Sequence, residues 1–121
     1  MVTTVGEINK RAERLRGLNF GVSQNISSTT GTVKSNSSYI ELDGTENTVA
    51  ATLAAPRKGQ WLIVTCTNAS NNCTLTLTVG DFDGTNNVAT FNAAEETLVL
   101  FGINATRFII IENIGSVSLG T

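Results

Sequence analysis

Residues 73–79, Cys-Thr-Leu-Thr-Leu-Thr-Val, alternate apolar and polar at every position. Successive strand side chains point to opposite faces, so Cys73, Leu75, Leu77 and Val79 share one face and three threonines the other. Runs of strand-favouring residues predict further strands at 39–42, 48–53, 61–67, 88–91, 98–101, 107–112 and 116–119. Turn chemistry separates them: Asp43-Gly44, then residues 56–60, 68–72, 81–87, 102–104 and 113–115. This rhythm predicts an all-β body, a small antiparallel β-sandwich or barrel-like knob. One run breaks the alternation, Phe108-Ile109-Ile110-Ile111. A strand apolar on both faces is buried on both, inside the fold or against another subunit. These four residues are therefore the candidate interface with another copy of the chain.

The first 37 residues read differently and form a separate unit, an N-terminal arm on a β-rich body of residues 38–121. Thr4-Val5-Gly6-Glu7 has the form of a helix capping box, and Val5, Ile8, Ala12 and Leu15 follow at helical spacing. The pattern predicts a short helix over about residues 4–16, with Gly17 as its stop. At roughly 12 residues it is marginal alone and needs a surface to pack on. Residues 19–37 show no sustained period and read as an extended connector. No tandem repeat of fixed length runs through the chain, although Asp-Gly-Thr occurs at 43–45 and again at 83–85.

Charge sharpens this division. Residues 1–34 carry net +3 and residues 35–121 net −5, for −2 over the 121-residue chain. So small a charge excludes the broad cationic field of a nucleic-acid binder. It leaves the arm as a localised basic segment, suited to an acidic protein surface. The candidate anchoring residues are Val5, Ile8, Lys10, Arg11, Arg14, Leu15 and Arg16. Polarity comes mainly from 18 Thr, 13 Asn and 9 Ser, residues that favour strands and turns over helix interiors. No apolar run approaches the roughly 20 residues of a membrane span, and no secretory leader is expected. The five Asn-x-Ser/Thr triplets are then expected to stay unmodified.

Candidate chemistry is sparse. The chain has no histidine, which removes histidine-dependent triads, metal sites and general bases. Two cysteines alone cannot complete a zinc site. Asp81/Asp83 and Glu95/Glu96 are the paired carboxylates, and both pairs read as turn or rim charges rather than a hydrolytic pair. Asp81, Asp83 and Asn86 or Asn87 could offer oxygens to calcium, but without EF-hand spacing. If 61–67 and 73–79 form a hairpin, Cys66 and Cys73 face each other; reduced buried thiols are the favoured state, a disulfide the alternative. Trp61 beside Arg57, Lys58 and Gln60 reads as a buried strand anchor, with a sugar-binding platform as the alternative. The expectation is a non-enzymatic protein without cofactors.

The quoted strands carry a family resemblance. Gly59–Thr65, the Thr-Leu strand, the run Gly80-Asp81-Phe82-Asp83-Gly84-Thr85-Asn86-Asn87-Val88-Ala89-Thr90-Phe91-Asn92-Ala93, Leu98–Gly102 and Arg107–Val117 together resemble small head decoration (cement, capsid-stabilising) proteins of tailed bacteriophages. The resemblance covers roughly residues 38–120 and consists of strand-and-turn patterns. It implies a trimeric β-rich knob on the outside of a virion, assembled in the host cytoplasm, whose partner is the major capsid protein. It carries over no active-site residues and implies neither nucleic acid nor membrane as partner. A receptor- or glycan-binding module of a fibre or other appendage is the alternative.

Overall fold

The computed structural model describes residues 22–121. Their strands are β1 (Val22–Ile26), β2 (Thr30–Thr32), β3 (Ser37–Asp43), β4 (Val49–Leu53), β5 (Trp61–Asn68), β6 (Cys73–Leu77), β7 (Val88–Phe91), β8 (Thr97–Asn104), β9 (Arg107–Ile114) and β10 (Ser118–Gly120). They form two five-stranded sheets. Sheet A has the order β1-β3-β5-β8-β9 and sheet B the order β10-β7-β6-β4-β2.

Up to β6 the chain alternates strictly between the sheets, one strand in each per turn. It therefore winds as a flattened coil, and successive turns pair in parallel: β1 with β3 and β3 with β5 in sheet A, β2 with β4 and β4 with β6 in sheet B. Antiparallel strands finish each sheet: β8 and β9 beyond β5, β7 and β10 beyond β6. The expected sandwich is thus mixed rather than antiparallel. The turns differ in length, Ser23 facing Tyr39 but Tyr39 facing Ile63, so the winding leaves no fixed repeat in the sequence.

Parallel winding explains the core. Inward residues stack in register from turn to turn, as in Ile26–Leu42–Cys66 of sheet A and Ala51–Leu75–Ala89 of sheet B. Ile40, Leu42, Leu62, Val64, Leu75, Leu98 and Leu100 are completely buried between the sheets. Each such side chain contributes about 1.5–3 kcal/mol relative to exposure.

Two corrections follow from the winding. Residues 22–37 do not simply connect: β1 and β2 lie in them and pair into both sheets. Both are edge strands buried at few positions, so their sequences carry little alternation. Secondly, β5 and β6 are not a hairpin, since they belong to opposite sheets. Residues 69–72 cross from one sheet to the other, and Cys66 and Cys73 are buried free thiols within the core. The predicted helix over 4–16 lies outside the described residues.

The two Asp-Gly-Thr triplets build the same device. Asp43 Oδ1 accepts from Thr45 N–H at 3.0 Å, and Asp83 Oδ1 from Thr85 N–H at 3.1 Å, an Asx-type turn in each case. Gly44 is also required by packing: its N–H donates to Asn68 O at 2.7 Å and its carbonyl accepts from Asn71 N–H at 2.9 Å. A Cβ at Gly44 would collide with the Asn71 carbonyl.

Candidate functional site

The paired carboxylates occupy two local structures. Asp81 accepts from the Gly84 N–H and faces Arg107 Nε at 3.4 Å. Asp83 accepts from Asn86 N–H at 2.8 Å and Asn86 Nδ2 at 2.9 Å. The Asn86 hydrogen bonds, backbone first, hold the Asp83 carboxyl below the usual aspartate value. These oxygens are committed to their own turn, which Phe82 pins by inserting, fully buried, against Phe108. Among the described residues no group of three or more acidic or cysteine side chains is placed to hold a metal ion.

Glu95 and Glu96 part company. Glu95 is exposed, with φ at 72°, while Glu96 is 3% exposed and its Oε2 accepts from Asn92 N–H at 3.3 Å. Glu96 is therefore not a rim charge but a buried tie across the 92–96 turn. Its position also abuts Gly115, where an added Cβ would sit 3.0 Å from Glu96 Cγ. Burial likewise pushes the Cys66 thiol up and raises Cys73 to about 12, so both stay protonated at neutral pH.

A cleft of about 100 Å³ lies among Val33, Leu53, Arg57 and Gln60. That is below the roughly 300–1,000 Å³ of small-molecule sites.

The outer faces of the two sheets are unlike. Sheet B presents Thr30, Thr32, Thr52, Thr74, Thr76 and Thr90, with Thr32 and Thr52 hydroxyls 3.3 Å apart. Sheet A presents apolar groups. Trp61, Phe101 and Ile109 stand in one row across β5, β8 and β9, and Tyr39, Ile63 and Val99 in the next. Trp61 meets Phe101 edge to face with ring centroids 4.9 Å apart. Tyr39 is 37% exposed, Trp61 38%, Ile109 37% and Ile111 47%. Trp61 is thus not the buried anchor expected, but part of an outward face.

The four interface candidates divide by strand parity. Phe108 is completely buried in the core, and Ile110 packs against the core partly buried, while Ile109 and Ile111 are exposed. The doubly apolar strand is buried on one face by its own chain. Residues 61–64 and 98–101 are also apolar on both faces, the signal that could have revealed the whole outward face. Val5, Ile8, Lys10, Arg11, Arg14, Leu15 and Arg16 lie outside the described residues.

Among the described residues no helix is long and apolar enough to cross a membrane. No protein-family model matches the chain, and no curated protein matches it.

Proposed function

We propose that this protein is a structural virion subunit that binds the outside of a phage capsid as a homotrimer and stabilises contacts between capsid subunits. The observation that carries the reading is β9. It is the last strand of sheet A and eight residues long; Asp81 bridges its outer edge at Arg107, no strand among the described residues pairs with that edge, and β9 exposes Ile109, Ile111 and Ile114. A long edge strand bearing apolar side chains invites pairing with another chain unless a partner covers it. The sequence resemblance to head decoration proteins supplies the virion context. The carboxylates tied into turns and the buried thiols suit a protein that acts by contact.

A second reading, a glycan- or receptor-binding module, draws on Tyr39 and Trp61, exposed aromatics on neighbouring strands of one face. Such rings can stack on apolar sugar faces.

The test adds purified full-length protein to phage heads assembled without it and images them by electron microscopy. Trimeric knobs on the outer surface, with greater resistance of the heads to heat, are expected. Protein that fails to bind heads but is retained on immobilised glycans would favour the second reading.

A further inference from the structure

The winding carries the two cysteines to one place from opposite sheets. β5 is the middle strand of sheet A and β6 the middle strand of sheet B. Only residues 69–72 separate these strands, so the chain crosses the sandwich between Asn68 and Cys73. Inward positions alternate along each: Leu62, Val64 and Cys66 on β5, Cys73, Leu75 and Leu77 on β6. Cys66 is thus the last buried residue before the crossing and Cys73 the first after it, both completely buried.

Contacts at the crossing bring the sulfurs together. The two thiols hydrogen-bond to each other. The Asn68 backbone bonds to the Cys66 sulfur, and its carbonyl accepts from the Cys73 thiol at 3.9 Å, a weak contact that Asn71 O shares at 3.7 Å. The crossing is itself held in place. Gly44 N–H donates to Asn68 O at 2.7 Å, Asn71 N–H to Gly44 O at 2.9 Å and Val49 N–H to Asn72 O at 3.1 Å. Side chains in contact and directed at each other are what a disulfide requires. Two sulfurs alone do not complete a metal site, and among the described residues no third acidic or cysteine ligand joins them. Oxidation is the chemistry open to the pair.

We propose that Cys66 and Cys73 form an oxidation site, closing to a disulfide that staples the middle strands of the two sheets. The oxidant is a small-molecule disulfide such as oxidised glutathione. One cysteine, as thiolate, attacks a sulfur of the oxidant and expels one small thiolate. The other then attacks the protein sulfur of that mixed disulfide and expels the second. One S–S bond is broken in the oxidant and one is formed in the protein. Two electrons pass to the oxidant, and the two thiol protons end on the two small thiols released.

Burial sets the timing. Both sulfurs are shielded and held protonated, so they react only when the crossing opens locally. The chain folds with free thiols in a reducing compartment and closes the staple in an oxidising one. The same packing then shields the bond from reductants. None of this depends on capsid binding.

In the test, the full-length protein is purified with reductant and incubated with oxidised glutathione in urea just below its unfolding midpoint, where the crossing opens. After return to buffer, intact mass, free thiols titrated in denaturant and thermal unfolding are compared with the untreated protein. A mass lower by two hydrogens and a thiol count falling from two to none are expected. The melting temperature should rise by at least about 5 °C, because the bond constrains the unfolded chain. Dithiothreitol should return all three values. Cys66→Ala and Cys73→Ala, treated alike, should take up glutathione and gain no stability. Two thiols that persist overturn the proposal. So does a product that carries glutathione on both sulfurs or joins two chains. A bridged protein that melts no higher than the reduced one also overturns it, since the bond would then not fit the fold.

Discussion

Phe82 lies against Phe108 with ring centroids 6.4 Å apart and planes 24° from parallel, both rings completely buried. One ring comes from a turn and the other from β9, so the contact fastens residues 81–87 to the sandwich. Around it, Phe108 N–H donates to Asp81 O at 3.0 Å, and Phe82 N–H to Asn86 O at 2.8 Å. Phe82→Ala removes the ring and leaves a cavity, and should cost about 3–5 kcal/mol. Urea unfolding is the check. A loss below about 1 kcal/mol would show the turn to be independent of the core.

Glu96 yields a contrast within one side chain. Its buried carboxylate serves as an acceptor for Asn92 N–H, and glutamine keeps an acceptor oxygen at the same reach. Glu96→Ala leaves that N–H without its partner and should cost about 1–3 kcal/mol, with Glu96→Gln clearly milder. Exposed Glu95 tolerates glutamine within about 0.5 kcal/mol. Thermal unfolding of the three variants side by side decides the order.

Strands were legible wherever burial alternated. Residues 73–79 announce β6, and the sequence pattern marks every strand from β3 onward to within a few residues. Sheet membership was not legible, because parallel winding is set by contacts between turns of unequal length. Tyr39 and Ile63 pair across 23 intervening residues, and nothing local to either announces the other. β1 and β2 stayed hidden for a related reason: of their eight residues Ile26 alone is buried, so they carry almost no period. At the candidate site, residues 108–111 read as apolar on both faces. Its parity could not say that Phe108 and Ile110 face the core while Ile109 and Ile111 face out.

Alkaline pH should weaken the fold through the thiols. Burial raises Cys73 from 9.0 to about 12, and Cys66 in the same direction. The folded state therefore holds its protons more tightly than the unfolded chain. Stability from this source is complete below pH 9 and falls as pH rises between the unfolded and folded values, by up to about 1.4 kcal/mol per pH unit for each thiol. Urea midpoints at pH 8 and pH 10.5 measure it. Cys73→Ala should be less stable at pH 8 yet show a visibly shallower decline to pH 10.5. An unchanged slope would assign the alkaline loss to other groups.

On the acid side Asp83 works in the opposite sense. Hydrogen bonds from Asn86 lower its folded value beneath 3.8, so its contribution is present above that value and is lost as pH falls through the folded one. Asp83→Asn should flatten the stability profile below about pH 4 while leaving the neutral-pH fold intact. Acid titration of the unfolding transition checks this, and a profile identical to that of the unaltered protein counts against it.

Self-association is the prediction with most at stake, and Ile111 isolates it. The side chain is 47% exposed on an edge strand, so replacing it removes little from the folded protomer. In an assembled trimer the exposed half of the same side chain would be buried against a neighbour, at a gain of about 0.7–1.5 kcal/mol per subunit. A lysine there forfeits that gain and places a charge on the edge, a device that blocks strand-to-strand pairing. Ile111→Lys should therefore weaken assembly by at least about tenfold, since 1.4 kcal/mol corresponds to one decade of affinity. Its unfolding midpoint, measured where the protein is monomeric, should stay within about 0.5 kcal/mol of the original. Phe108→Ala reverses the pattern, losing stability in the monomer because its ring never reaches the surface. Sedimentation equilibrium paired with urea unfolding separates the two cases. A trimer that survives Ile111→Lys unchanged would move the interface off β9, and a chain that is monomeric at every concentration would remove it.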